Sequence, residues 1–410
     1  MTREVRSSEL PNATVNLTAV EPHEDSRIAA GALNNPVIYE RAAGGVSVFQ
    51  LITDFGRSRN LVASAQLQAE AQVADQQASV QDIILAADTA FYSALRAQAL
   101  LDVAQQTVAT RQTTADQVQA LTNAKLKSEL DLSFANVNLA QAKLLLLDAQ
   151  NQKAAAFANL NAVLGNFKQQ PYSLVDEAGS ALPPPPANAD ALLELALRSR
   201  PDLRALEERY RADERFRHAE HDLSRPTIAA LGAVGDTPIR ADQLSPWYGA
   251  VGVNVSIPVF NGFLFSARMR EADFRSRARA EQLRDMRDRV ARDVQVTCLQ
   301  SQSTFERIAV TSQLLEQANL ALDLATERYR LGLSSIVEVS QAQLQQTQAA
   351  IDHSNARYDY LSALASLNFQ TGQILGPRLE SKVPAPAATS KSPAGSSPQG
   401  NLPGADTDGK

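Results

Sequence analysis

Residues able to do chemistry are few in this sequence, and their spacing suits none of the common sites. His218 and His221 lie three apart in FRHAEHD, with Glu220 and Asp222 beside them, so two imidazoles share one helical face. A zinc centre needs a third ligand, and none is identifiable, so this stretch reads as a solvated helical face. Residues 264–292 are rich in arginine (Arg268, Arg270, Arg275, Arg277, Arg279 and onward), which would suit phosphate. Glu271, Asp273, Glu281, Asp285 and Asp288 interleave them, however, and the chain carries a net charge of −6. That is a mixed-sign solvated helix and argues against a nucleic-acid partner. Cys298 is the single cysteine, so no intrachain disulfide can form. There is no Gly-rich phosphate loop, no GxSxG and no cysteine pair. The sequence therefore reads as a non-enzyme with no cofactor.

What remains is the stretch RYRLGLSSIVEV at 328–339. Its Gly332 is the only glycine between Phe263 and Thr371, and that span has no proline. A second span, Arg57 to Leu164, has neither residue. Both are much longer than an ordinary globular helix, so each must be a rod or a long hairpin. Aromatics make up 5% of the chain, and Ala, Leu, Gln, Glu and Arg dominate, a composition for long helices rather than a bulky core. Apolar residues recur by sevens at Ile308, Leu315, Leu322 and Tyr329, then at Val337, Leu344, Ile351 and Tyr358. Small residues such as Ala318 and Ala325 lie between them, so the spacing predicts left-handed coiled-coil contact with close helix approach.

The two spans are copies of one another. Gly45-Val46-x-Val48 matches Gly252-Val253-x-Val255, Leu126-x-Ser128 matches Leu333-x-Ser335, and Leu160-Asn161 with Gly165 matches Leu367-Asn368 with Gly372. The offset is 207 throughout, and a gapless duplication settles the architecture. It places Lys125 opposite Gly332, each at the join of a descending and an ascending helix. The descending helix, about 263–331, would span on the order of 100 Å, and the ascending helix, about 335–370, roughly half of that. The segment from Asp190 to about Ser224, interrupted at Pro201, has the missing length and should stack on its end. ATVNLTAV at 13–20 and WYGAVGVNVSIPVF at 247–260 alternate apolar with polar or small residues. That alternation suits either a sandwich core or a barrel wall between lipid and lumen.

The resulting organisation has a first repeat over 1–165, with strands at about 12–20 and 45–52 and a hairpin at about 57–164. A linker follows at 166–189 and includes LPPPPA. The second repeat, 190–372, has a helix at about 190–224, strands at about 226–234 and 249–259, and a hairpin at about 263–371. The Pro-, Ser-, Ala- and Gly-rich segment 373–410 is expected to be disordered.

Two strands and a rod-length hairpin, duplicated, resemble the TolC family of outer-membrane efflux proteins. IPVFNGFLFSARMREA at 257–272 is similar to that family's strand-to-helix junction. LLELALRSRPDLRALEERYRADE at 192–214 is similar to its helix with an Arg-Pro-Asp-Leu step, and ERYRLGLSSIVEVSQAQ at 327–343 to its periplasmic turn. There are departures: the junction carries Gly262-Phe263 where the family has Gly-Gly, its first copy LITDFGRSR is degenerate, and Lys125 stands where glycine is usual. MTREVRSSEL lacks the apolar run of a secretory signal. The resemblance therefore implies that a signal peptide and a first helix are missing from this chain, through truncation or a misplaced start.

The resemblance implies a mainly α fold with a small β part. Internally duplicated coiled-coil hairpins would be joined to four strands, and three chains would close a twelve-stranded barrel. It implies a homotrimer in outer-membrane lipid whose helices form a periplasmic tunnel. The tunnel would passively conduct cargo from an inner-membrane pump (RND, ABC or MFS type) and a periplasmic adaptor, in efflux or type I secretion. It also implies a gate. Tyr329 takes the position of the family's latching aromatic and Asp131 that of its acidic partner on the first hairpin, so a Tyr329–Asp131 hydrogen bond is expected. The latching arginine's position is Ser334, Glu338 keeps one ring of carboxylates, and the second ring position is Gln341. The turns themselves are the expected adaptor-docking tip: Lys125, Leu126, Lys127 and Ser128 on one, Leu331, Gly332, Leu333, Ser334 and Ser335 on the other. Two other readings compete, a non-enzymatic coiled-coil scaffold and a periplasmic adaptor. The first leaves the alternating strands unexplained, and adaptors carry one hairpin rather than two copies.

Overall fold

The computed structural model describes residues 2–21, 23, 41–168, 170, 172–176, 182–242 and 244–374. A short helix, α1 (Thr2–Arg6), and a 3-10 turn, Ser7–Glu9, lead into β1 (Asn12–Val20) and β2 (Arg41–Thr53). The first hairpin is α2 (Arg57–Asn123) with α3 (Glu129–Val163). Next come α4 (Ala189–Ser199), α5 (Pro201–His221), a 3-10 turn at Asp222–Ser224, β3 (Thr227–Arg240) and β4 (Trp247–Ser256). The second hairpin is α6 (Leu264–Arg330) with α7 (Ile336–Gln370). Most of the 373–410 segment expected to be disordered lies outside the described residues.

The duplication is literal in the hairpins. α2 and α6 are each 67 residues long, and α3 and α7 each 35, so the descending rods run on the order of 100 Å. Their shorter partners are completed by α4 and α5, as the lengths require. Pro201 opens α5 at N1, where its missing N–H costs nothing. The α4–α5 joint abuts the end of α7, where the Arg200 guanidinium donates to Gln370 Oε1 at 2.5 Å and pairs with Asp202.

The contact seam follows the series of large apolar residues only at Tyr329 and Tyr358, which are buried. Val337 and Leu344 are exposed, and Ile308, Leu315 and Leu322 are only half-buried. The other buried positions also recur by sevens, two residues before the Leu344 series on α7, and are small: Ala135, Ala142, Ala149 and Ala156 on α3, and Ala342, Ala349, Ala356 and Ala363 on α7. On the descending helices the series are Ala97, Ala104, Arg111, Val118 and Thr311, Ala318, Ala325. Alanine in the seam lets backbones approach closely, which bulkier knobs would prevent. The larger residues Leu130, Val137 and Leu144, with their duplicates Val337 and Leu344, are thereby left on the outside of a single chain.

The four strands form one antiparallel sheet in the order β1-β2-β3-β4. Register pairs Val15 with Val46 and Val46 with Val234, and Val255 with Ile228, so these share a face with Leu17, Val251 and Val253. The opposite face carries Thr14, Asn16, Ser47, Asn254 and Ser256, with Phe49, Leu51, Leu231 and Tyr248 as exceptions. Neither face is packed on a core: Val15, Leu17 and Val251 are 73%, 84% and 93% exposed. The sandwich alternative therefore falls, because no described element covers the apolar face. Among the described residues both outer edges, β1 and β4, are unpaired.

The second strand of each pair, β2 and β4, hands over to its long helix through two successive left-handed residues. These are Phe55 and Gly56 before α2, and Gly262 and Phe263 before α6. The degenerate first junction thus keeps the geometry of the second with the phenylalanine and glycine exchanged. LPPPPA is extended and strapped down rather than free: Tyr360 Oη donates to the Pro183 carbonyl, and Gln302 Nε2 to that of Pro186 at 3.3 Å.

Candidate functional site at the hairpin tips

Both turns close in the same way. In the first, Leu126 N donates to Leu121 O and Lys125 N to Thr122 O, each at 2.9 Å. In the second, Leu333 N donates to Arg328 O at 2.8 Å and Gly332 N to Tyr329 O at 3.0 Å. This paired pattern requires a left-handed residue after the helix. Gly332 adopts φ +76° there without strain, whereas Lys125 is forced to φ +58°, at a cost of about 1–2 kcal/mol. The duplicated helix starts then diverge. Ser128 and Asp131 form a reciprocal capping box, with Asp131 N donating to Ser128 Oγ at 3.1 Å and Ser128 N to Asp131 Oδ2 at 3.2 Å. Ser335 makes no side-chain cap, and Glu338, the counterpart of Asp131, turns back toward Arg328 at 3.6 Å.

Above the turns the two hairpins pack on one another. Ala115, Val118, Ala135, Leu139, Ala325, Tyr329, Ile336, Val339 and Ala342 make one buried cluster drawing on all four long helices. Tyr329 is buried in it, but the expected Tyr329–Asp131 hydrogen bond is not formed. The Tyr329 hydroxyl has no hydrogen-bond partner, because Asp131 is committed to its own helix start. Asp131 acts at a distance: burial first, and its negative charge second, hold the Tyr329 phenol above its usual range. The contact that replaces the bond is Lys127 of the first hairpin, whose ammonium lies 4.0 Å from the Tyr329 ring centroid. A cation over a ring contributes about 0.5–1 kcal/mol at an exposed site. Ser334 Oγ is buried without a hydrogen-bond partner.

The structure thus brings Tyr329, Asp131 and Lys127 together, and sets Glu338 against Arg328 instead. Leu126, Leu331 and Leu333 project at the tip, 70%, 67% and 68% exposed. The Ser128–Asp131 box was legible as Ser-x-x-Asp before an apolar run and was missed; the role of Lys127 had no local signal. Away from the tip, His221 Nε2 sits 3.2 Å from Asp273, which also faces Arg217. Among the described residues no group of three or more His, Cys, Asp or Glu could hold a metal ion, and no helix is long and apolar enough to cross a membrane.

Two copies of a strand pair and hairpin, with a sheet apolar on one face and polar on the other, match one family model. Residues 12–166 and 192–373 fit the outer membrane efflux protein. This chain belongs to that family. Outer membrane protein TolC of Escherichia coli K12 is 26% identical over 317 residues, which cover 72% of this chain and 63% of that protein. Outer membrane efflux protein BepC of Brucella suis is 23% identical over 378 residues, covering 90% of this chain and 80% of that one. The crystal structure of outer membrane protein VceC from Vibrio cholerae superposes with a TM-score of 0.77 at 19% identity, covering 90% of this chain and 89% of that one. Both long hairpins and the four strands therefore follow the efflux-protein fold.

Proposed function

We propose that this chain forms the outer-membrane channel of a tripartite efflux or type I secretion system, passing cargo without chemistry of its own. The observation that carries this is the sheet with two unlike faces. Among the described residues its Val-rich face is uncovered, its other face is more polar, and both its edges are unpaired. In lipid an open edge leaves several kcal/mol per unsatisfied backbone group, so the four strands must close with other copies. Three chains supply the twelve strands of the family resemblance, and the helices below then line a tunnel. Electrostatics at its narrow end come from Glu338, Arg328 and Asp131, with Tyr329 packed behind them as the gate. The pump, of RND, ABC or MFS type, selects the cargo.

The test is conductance of the assembled protein in planar bilayers. A cation-selective channel is expected, and Glu338→Gln should lower the cation-to-anion permeability ratio by about two- to threefold and weaken divalent block. A protein that never conducts, or fractionates away from the outer membrane, would overturn the reading.

The same tip is proposed to dock a periplasmic adaptor end-on. Small Ser334 and Ser335 give access, and Leu126 and Leu333 give apolar anchors. Leu126→Asp with Leu333→Asp should abolish pump-dependent resistance while leaving bilayer conductance unchanged. Full resistance at equal protein levels would place docking elsewhere.

A further inference from the structure

Arg111 breaks the small-residue seam. It stands between Ala104 and Val118 in the buried series of α2, and its duplicate on α6 is Ala318. The position therefore does not need a long side chain for packing. The guanidinium is pinned between the two hairpins, one turn above Ala115 and the fully buried part of the apolar cluster that holds Tyr329, and Arg111 is only 7% exposed. Its partners are neutral. Nη1 donates to Gln343 Oε1, and Nη2 lies 3.5 Å from Thr347 Oγ1, at the outer limit of a hydrogen bond. Gln343 is in turn held by Thr114, donating to its Oγ1 at 3.2 Å. Among the described residues no carboxylate pairs with Arg111, although most arginines of α5 and α6 have one.

A cation buried against neutral acceptors recovers only part of its lost hydration. Burial accordingly pulls the guanidinium down to about 10, with no opposing cause, so it stays charged at neutral pH. If α7 moves away from α2, water reaches the guanidinium and its hydration is restored. The apolar cluster below favours the packed arrangement, and the cation above favours the parted one.

We propose that Arg111 biases the two hairpins toward separation, so that the closed tip is poised to open rather than locked. This rests on the channel reading, and it places the adjustable contact about 14 residues above the Lys125 turn, roughly 21 Å up the rod. Gln343 and Thr347 set how far the bias is offset. The absence of partners on Tyr329 Oη and Ser334 Oγ fits a tip that is closed by apolar packing and one cation–ring contact.

The decisive comparison is Arg111→Met, which keeps bulk and removes charge, against Arg111→Lys and Gln343→Leu, measured on the full assembled protein. Arg111→Met should lower resting open probability in bilayers roughly tenfold, because an apolar replacement of a buried charge is neutral or stabilising for packing. It should also slow amide exchange over residues 336–347. Arg111→Lys should stay near wild type, and Gln343→Leu, which leaves the cation with fewer partners, should raise open probability. An Arg111→Met channel that opens more readily would make Arg111 a clamp and overturn the proposal, as would unchanged conductance and exchange. If the wild-type protein does not conduct at all, the channel reading fails, while the exchange comparison still decides the packing bias.

Discussion

Gly372→Ala is expected to destabilise the protein by about 3 kcal/mol, whereas the same change at its duplicate, Gly165, costs only about 1 kcal/mol. Both glycines end an ascending helix in the left-handed region, at φ +72° and +74°. At Gly165 a Cβ would meet nothing within 4 Å, so only backbone strain is added. At Gly372 the Cβ would lie 2.9 Å from the carbonyl carbon and oxygen of Ser199 and 3.1 Å from Arg200 N. Those are backbone atoms of the α4–α5 joint and cannot rotate away. The joint must shift, loosening the Arg200–Gln370 hydrogen bond and the bond from Gln81 Nε2 to the Gly372 carbonyl. Thermal unfolding of the two variants in detergent gives the comparison. Equal losses at the two sites would mean that α4 and α5 do not stack on α7 as described.

Assembly should fail in the double variant Leu144→Glu, Leu344→Glu. Leu130, Val137 and Leu144, with Val337 and Leu344, form equivalent stripes at seven-residue spacing, and each is more than half exposed in the single chain. Burying such a side chain contributes about 1.5–3 kcal/mol, and placing an uncompensated carboxylate there costs more than the same amount again. Three copies multiply the effect, so the trimer inferred above should give way to monomer. The intrachain seam is alanine on the opposite side and is untouched, so helical content should be preserved. Light scattering after chromatography, with circular dichroism as the control, distinguishes loss of assembly from loss of fold. A trimer of normal mass would show that these stripes face water rather than other copies.

The residues of the proposed gate were named from residue type and position, but their bonding was not legible there. The duplication placed Asp131 and Glu338 at equivalent points, and equal spacing suggested equal roles. In three dimensions one carboxylate is held by its own N-terminal serine and the other swings to Arg328. A hydrogen bond depends on sub-ångström placement and on what else competes for the acceptor, which spacing does not encode. The same limit applies to Arg111. As a letter in a solvated-looking helix it carries no signal; its neutral partners, Gln343 and Thr347, meet it only once α7 lies against α2.

The sequence alone determined the long helices, the turns between them and the duplicated plan, because these follow from local rules. Absent glycine and proline permit a rod, a left-handed residue ends it, and a fixed offset repeats it. It also determined two sheet faces, since alternation is a property of the strand itself. Only tertiary structure decided which heptad register is inside. Large apolar residues look like core from sequence, yet close approach of two hairpins selects alanine along much of the seam and leaves Leu130, Leu144 and Leu344 outside, while Leu139 and Ile336 stay inside. Choosing between those registers needs the distance between helix axes. That distance is set by every contact along the rod at once, and no single residue specifies it.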